Sequence, residues 1–255
     1  MQLIKNTLYA LADLLTFYKG IPRNVNGFKV RFAPKWSRFY ESDYEKDTFD
    51  FFRNNIRKGD TILDIGAHIG LYSSPLAELC GDTGKVFCFE PTPGTFSILK
   101  QTIRLNKQEN VKAIHAAISD KSGTIGFNLT SSDGKGSNAN SIVETDRAQN
   151  SIEVPAFSID DFRKQNRLTI NVLKIDVEGA ELSALLGAKE TFLCDRPCGI
   201  LALHPANIRS FGHSLAEIWD CLQHYQLQVT YKGKTIDADF FCKQELLFDV
   251  EFKPV

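Results

Sequence analysis

Hydrophobic positions along this chain switch repeatedly between two spacings. Thr61-Ile62-Leu63-Asp64-Ile65, Val86-Phe87-Cys88-Phe89 and Ile170-Asn171-Val172-Leu173-Lys174-Ile175 are short apolar runs that read as buried strands. Between such runs lie segments with apolar residues at helical spacing, as in 70–80, 94–106 and 179–189. From residue 58 the order is strand 61–65, helix 70–80, strand 85–90, helix 94–106 and strand 111–117. It resumes with strand 170–175, helix 179–189, strand 199–204, helix 213–224 and strand 227–231. Strands separated by helices predict a parallel sheet covered on both faces, a doubly wound α/β fold. Leu246 to Phe252 alternates with period two and predicts a last, antiparallel strand.

Two stretches stand outside this alternation. In residues 1–18, Leu3, Ile4, Leu8, Leu11, Leu15 and Tyr18 share one helical face. Asn6, Thr7, Asp13 and Thr16 make the segment too polar to span a bilayer. No small-residue cleavage site follows it, which argues against a signal peptide. The expectation is a helix packed on the domain or on a partner, a second copy included. Interfacial membrane contact is the lesser reading, since the polar face carries few basic residues. A β segment at 28–32 and a helix at 41–56, with Phe49, Phe52 and Ile56 on one face, complete an N-terminal region 1–57. Lys58-Gly59-Asp60 separates it from the main domain, 58–255. In the middle, 123–129 alternates like a strand, 130–141 is a small, polar, glycine-bearing loop, and Ile152 to Pro155 reads as a strand. Long loops inside compact domains are often lids or binding loops.

Composition narrows the classes little. With 43% hydrophobic and 24% charged residues over 255 positions, the chain is ordinary for a globular protein. A net charge of −1 gives no general drive toward nucleic acid. Six cysteines lie scattered in apolar segments, as expected of reduced thiols in a cytoplasmic protein. Cys194 and Cys198 lack a second ligand pair at metal-binding spacing, so no metal is expected.

The chemistry concentrates at three strand ends. Asp64-Ile65-Gly66-Ala67-His68-Ile69-Gly70 joins a strand to a helix. Its glycine spacing is neither Gly-x-Gly-x-x-Gly nor a P-loop, so no polyphosphate ligand is indicated. Glu90 ends the next strand, where its two oxygens can accept from ribose hydroxyls, and Pro91-Thr92-Pro93 stiffens the turn after it. Lys174-Ile175-Asp176-Val177-Glu178-Gly179-Ala180-Glu181 brings three carboxylates and a lysine to the end of a central strand, the edge where open α/β sheets bind ligands. Glu181 also fits a helix's first turn, which favours negative charge.

Taken with Phe89-Glu90-Pro91 and Ile118-Ser119-Asp120-Lys121-Ser122-Gly123, these segments resemble the FkbM family of class I, S-adenosylmethionine-dependent methyltransferases over roughly residues 40 to 205. The resemblance implies a mostly parallel seven-stranded sheet and methyl transfer, usually to a hydroxyl oxygen. By motif, Asp64, Gly66 and Gly70, with Ala67 and His68 between them, would frame the cofactor's methionine part. Glu90 would hold the ribose beside Pro91, Ala117 and Ile118 would lie near adenine, and Asp176 would face the sulfonium. Tyr44-Glu45 looks like the pair the family carries ahead of the loop. The chain departs from the family with His68 in place of a frequent Asn, and with Ala202 near a frequent Glu.

A hydroxyl acceptor calls for a general base. His204, or one of Glu178 and Asp176, qualifies by position and residue type. The expectation is an O-methyltransferase acting on a sugar, glycan or natural-product acceptor. A non-catalytic module of the same fold is the competing class, and a nicotinamide-dependent oxidoreductase is disfavoured by the glycine spacing.

Overall fold

The computed structural model describes residues 8–9, 11, 14–16, 18–128, 141–142 and 151–255. The chain begins with a hairpin, β1 (Ile21–Val25) and β2 (Phe28–Phe32), and helix α1 (Lys46–Asn55). Next come β3 (Thr61–Ile65), α2 (Ser73–Cys80), β4 (Lys85–Phe89), α3 (Pro93–Leu105) and β5 (Val111–Ile114). Four strands follow, β6 (Ala117–Ile118), β7 (Gly123–Asn128), β8 (Ser141–Ile142) and β9 (Ser151–Phe157). Then come α4 (Ile159–Asn166), β10 (Val172–Ile175), α5 (Glu181–Leu186), α6 (Lys189–Cys194), β11 (Cys198–Leu203) and α7 (Pro205–Ser210). The chain finishes with α8 (Leu215–His224), β12 (Leu227–Tyr231), β13 (Lys234–Thr235), α9 (Ala238–Cys242) and β14 (Phe248–Pro254).

The main sheet has the order β13-β12-β14-β11-β10-β3-β4-β5. From β11 to β5 every pair is parallel. The last strand, β14, lies antiparallel between β11 and β12, as its alternation predicts for a closing strand. Seven strands are expected from the family resemblance. The eighth, β13, is a two-residue strand that turns back on β12. The strand order reverses between β3 and β10. Such a switch point leaves a crevice beyond the carboxyl ends of the strands.

Strand register explains the two cores. Ile62, Val86, Val172 and Ile200 face one core, which also takes Phe28 and Phe32 of β2 and Phe49 and Phe52 of α1. Leu63, Phe87, Leu173 and Leu201 face the other, covered by α4, α5, α6 and α8. The hairpin and α1 therefore share the sheet's core. Asp64 and Lys174, aligned across β3 and β10, follow Ile62 and Val172 on the first face.

Several boundaries differ from the sequence expectation for local reasons. The strand predicted over 111–117 stops at Ile114, where Ala116 N–H donates back to Ile114 O at 3.1 Å. Ala117 and Ile118 leave the main sheet and pair with β9, so β6, β7, β8 and β9 form a second sheet. The helix predicted over 179–189 is interrupted at Gly187, where a Cβ would stand 2.2 Å from Ser119 O. Helix α1 starts only at Lys46, because Glu45 holds a left-handed conformation with φ 47°. The short helix α7 was not expected. Leu8, Leu11, Leu15 and Tyr18 are exposed, so these four do not pack on the domain. Leu3, Ile4 and residues 130–140 lie outside the described residues. Among those described, no helix is long and apolar enough to cross a membrane.

Phe192 is fully buried, stacks on Tyr225 at 4.8 Å and meets Phe252 edge-on at 5.6 Å. Phe192→Ala should cost about 3–5 kcal/mol in urea unfolding, with the denaturant slope unchanged. A loss below about 1 kcal/mol would contradict this packing.

Candidate functional site

The site begins where β3 ends. Gly66 and Ala67 donate their N–H groups to Phe89 O at 3.0 and 2.9 Å, fixing the loop against β4. Asp176 N–H donates to Ile65 O at 3.0 Å and extends β10 alongside. Gly66 has φ +78°, and a Cβ there would stand 1.8 Å from Asp176 O. Only glycine allows this approach.

Glu90 anchors the loop. Its Oε2 accepts from His68 N–H at 3.0 Å and its Oε1 from Thr92 N–H at 2.9 Å. The Thr92 hydroxyl bonds the same carboxyl, which leaves only part of its acceptor capacity toward the cleft. Burial raises the Glu90 carboxyl to about 7, against the pull of these backbone donors. His68 takes φ 50°, and its Nδ1 lies 3.0 Å from the Tyr40 hydroxyl. Its Nε2 is buried with no partner in the protein. Burial lowers the imidazole to about 4, so His68 is neutral at pH 7.

Beneath the loop sits Lys174, 4% exposed. Its Nζ lies 3.5 Å from Asp64 Oδ1, 3.3 Å from Asp176 Oδ2 and 5.2 Å from the centre of the Tyr72 ring. Burial opposes its charge, but Asp176, Asp64 and Glu45 outweigh that and hold it above the usual lysine range. Tyr72 hydroxyl donates to Glu45, which joins the Tyr44-Glu45 pair to this charge network.

A second cluster forms where β10 and β11 end. His204 Nδ1 meets Glu181 Oε1 at 2.9 Å, and Gly179 N–H donates to the same oxygen at 3.0 Å. His204 Nε2 lies 3.7 Å from both Asp176 Oδ1 and Glu178 Oε2. Burial works against the imidazolium, while Glu181, then Glu178 and Asp176, lift it to about 9. Burial raises Glu178 to about 7, with His204 pulling the other way. At neutral pH the arrangement is a protonated histidine among carboxylates. The donor atoms of Asp176, Glu178 and His204 lie within 4.8 Å of one another, so they are also where a cation would find ligands among the described residues. The ion pairs already account for their arrangement.

Gly66, Ala67, His68, Glu90, Pro91, Ala117, Ile118, Asp176 and Glu178 line one cleft of about 110 Å³. Three other expected residues do not. Asp64 is fully buried below Lys174, and Gly70 faces Ser73 and Leu99 inside the helix packing. His204 stands behind Asp176 and Glu178. Tyr40, Tyr72, Thr92 and Lys174 are among the other lining residues, none of them expected as a site residue. Lys174 and Thr92 did leave traces in the sequence, as the lysine of the strand-end cluster and as part of the turn after Glu90. Asp249 was missed as well. It lies opposite Ala202 in the β11–β14 register, and burial, then Glu45 and Asp176, raise it to about 7. A carboxylate thus returns to this edge from the neighbouring strand. A larger cleft of about 1690 Å³ lies at the other end of β4 and β5 and holds no such acid–base cluster.

The profile of the methyltransferase FkbM domain matches residues 64–229, more than half of the chain. The chain belongs to the FkbM methyltransferase family. The FkbM methyltransferase of Methylobacillus flagellatus KT superposes with a TM-score of 0.50 at 16% identity, covering 80% of this chain and 50% of that one. A proposed rRNA methylase of Clostridium thermocellum gives 0.51 at 9% identity, covering 82% and 94%. At these identities the likeness concerns the fold, the class I methyltransferase sheet with helices on both faces. No curated protein matches the sequence. S-adenosylmethionine is the methyl donor of this FkbM fold, as the motif resemblance implies. The cleft suits such a group. His68 Nε2 lacks a partner in the protein, and Glu90 lines the cleft beside it.

Replacing Lys174 with Met leaves Asp64 buried and unpaired. Lys174→Met should destabilise the fold by about 3–5 kcal/mol at pH 7 in chemical denaturation. A variant as stable as the parent would remove this charge pair from the account.

Proposed function

We propose that this FkbM methyltransferase transfers a methyl group to a hydroxyl oxygen, with Glu178 as general base. The observation that carries this reading is the cluster at the ends of β10 and β11, where one carboxyl titrates near 7 beside a histidine held protonated. S-adenosylmethionine supplies an electrophilic methyl carbon on a good leaving group. Glu90, Pro91, Ala117 and Ile118 hold its nucleoside, and Gly66, Ala67 and His68 hold its amino-acid part. Lys174 and Asp64 fix the strand ends that support them.

The acceptor hydroxyl is placed beside Asp176 and Glu178. With the methyl donor bound, the Glu178 carboxylate would take the hydroxyl's proton as the methyl group moves from sulfur to oxygen, leaving S-adenosylhomocysteine. A base with a pKa near the working pH combines adequate ionisation with driving force. His204 is the wrong partner for this task, since its imidazole already carries the proton. It positions the two carboxylates by charge and is itself held by Glu181. Positioning supplies the remainder of the barrier reduction. Sugar and glycan hydroxyls fit a rim rich in carboxylates and tyrosine, because each hydroxyl needs an acceptor and gains one there.

Transfer of labelled methyl to a panel of sugar and phenolic hydroxyls tests this directly. Activity should rise with pH through about 7, where Glu178 ionises, and fall near 9, where His204 loses its proton. With S-adenosylmethionine saturating, so that Glu90 (also near 7) does not limit binding, Glu178→Gln should remove the lower limb of kcat and cut kcat by roughly 10²–10⁴-fold. A flat profile from pH 6 to 9 with an active Gln variant would exclude this base. Glu90→Ala should weaken S-adenosylmethionine binding by about 1–3 kcal/mol in calorimetry. Unchanged affinity would remove Glu90 from the cofactor's surroundings.

A further inference from the structure

We propose that the protein docks on an anionic lipid bilayer through the exposed Leu8, Leu11, Leu14, Leu15 and Tyr18 and the basic cleft that adjoins them. Leu8, Leu11, Leu14, Leu15 and Tyr18 are 59%, 50%, 57%, 70% and 67% exposed. Leu8, Leu11, Leu14 and Leu15 have helical backbone, and positions 8, 11 and 15 fall on one face. Exposed large apolar side chains grouped in this way mark an interaction surface.

Charge next to them says which kind. Tyr18 and Lys19 pass directly into the cleft of about 1690 Å³ at the amino ends of β4 and β5. Its walls carry seven Lys and Arg side chains, among them Lys29, Arg31, Lys107 and Lys112, against three carboxylates. None of the seven is ion-paired among the described residues. The whole chain has a net charge of −1, so positive charge is sorted to this edge. The helix itself is poor in cations. Other elements supply them beside it, from β2, the end of α3 and β5.

Apolar side chains next to unpaired cations suit a surface with both acyl chains and anionic headgroups. RNA fits less well, since it has no use for four exposed leucines. A second copy sharing this face would bring two basic clefts together, which costs energy. The orientation also has a consequence for the proposed site. Docked this way, the cleft at the carboxyl ends of the strands lies roughly 17 Å farther from the bilayer, the length of a five-residue strand. The site then faces groups that project from the surface.

Flotation of the full chain with phosphatidylcholine vesicles, with and without phosphatidylglycerol, tests the proposal. Binding should require the anionic lipid and weaken in high salt. It should be lost in Leu11→Glu/Leu15→Glu and fall by roughly fivefold for each lysine removed in Lys107→Gln and Lys112→Gln. All these variants should keep the parent's melting temperature, since their side chains lie outside the core and the catalytic cleft. Equal binding to neutral vesicles would overturn the electrostatic part. No binding to either vesicle would overturn the whole proposal, whether the protein then proves to dimerise through the leucines or to bind RNA through the cleft.

Discussion

One buried ammonium group ties the sheet to the site above it. Lys174 stands in the middle of the central strand, aligned with Asp64 of β3, and its Nζ reaches Asp176 at the strand's end. A lone charge in that position would be costly, and a pair removed from water gains only when its geometry is good. Two carboxylates on two adjoining segments meet that condition. They also fix where β3 and β10 end relative to each other, which sets the path of the glycine loop. Gly66 then passes beneath the Asp176 carbonyl at a distance that no side chain permits.

From that constraint the remaining parts of the site follow in order. With the loop fixed, His68 N–H points at Glu90, which also receives Thr92 N–H. Glu90 is therefore both a ligand-facing carboxylate and the clasp of its own loop. His68 and Glu178 both adopt left-handed backbone, at φ 50° and 54°. Non-glycine residues in that region are uncommon and are often found where function demands a particular side-chain direction. The two clusters differ in charge. The glycine loop carries a neutral His68 and a Glu90 carboxyl raised to about 7. The Asp176–Glu178–His204 edge concentrates charge, and the proposed proton transfer is placed there.

The architecture was largely legible in the chain because the strands of the parallel region are buried on both faces and appear as short continuous apolar runs. The switch-point location of the site followed from strand ends rich in glycine and carboxylate. What escaped the sequence were relations between distant segments. Nothing in a linear pattern says that Tyr40 will meet His68, or that Asp249 will lie across from Ala202. The roles of Asp64 and His204 shifted for an electrostatic reason. Asp64 is expected at the ligand by motif and His204 by its position at a strand end; the structure sets Asp64 fully buried against Lys174 and His204 among three carboxylates. The break at Ile114 was invisible because the apolar run continues through Ala116-Ala117-Ile118 although the chain turns into a second sheet.

The central claim is that the cleft between β3 and β10 holds the methyl donor. Isothermal titration of the full-length chain with S-adenosylhomocysteine tests it most directly, because the product binds without turnover and needs no acceptor. The account predicts saturable binding of one molecule per chain. A folded protein that gives no binding heat at millimolar ligand would contradict it.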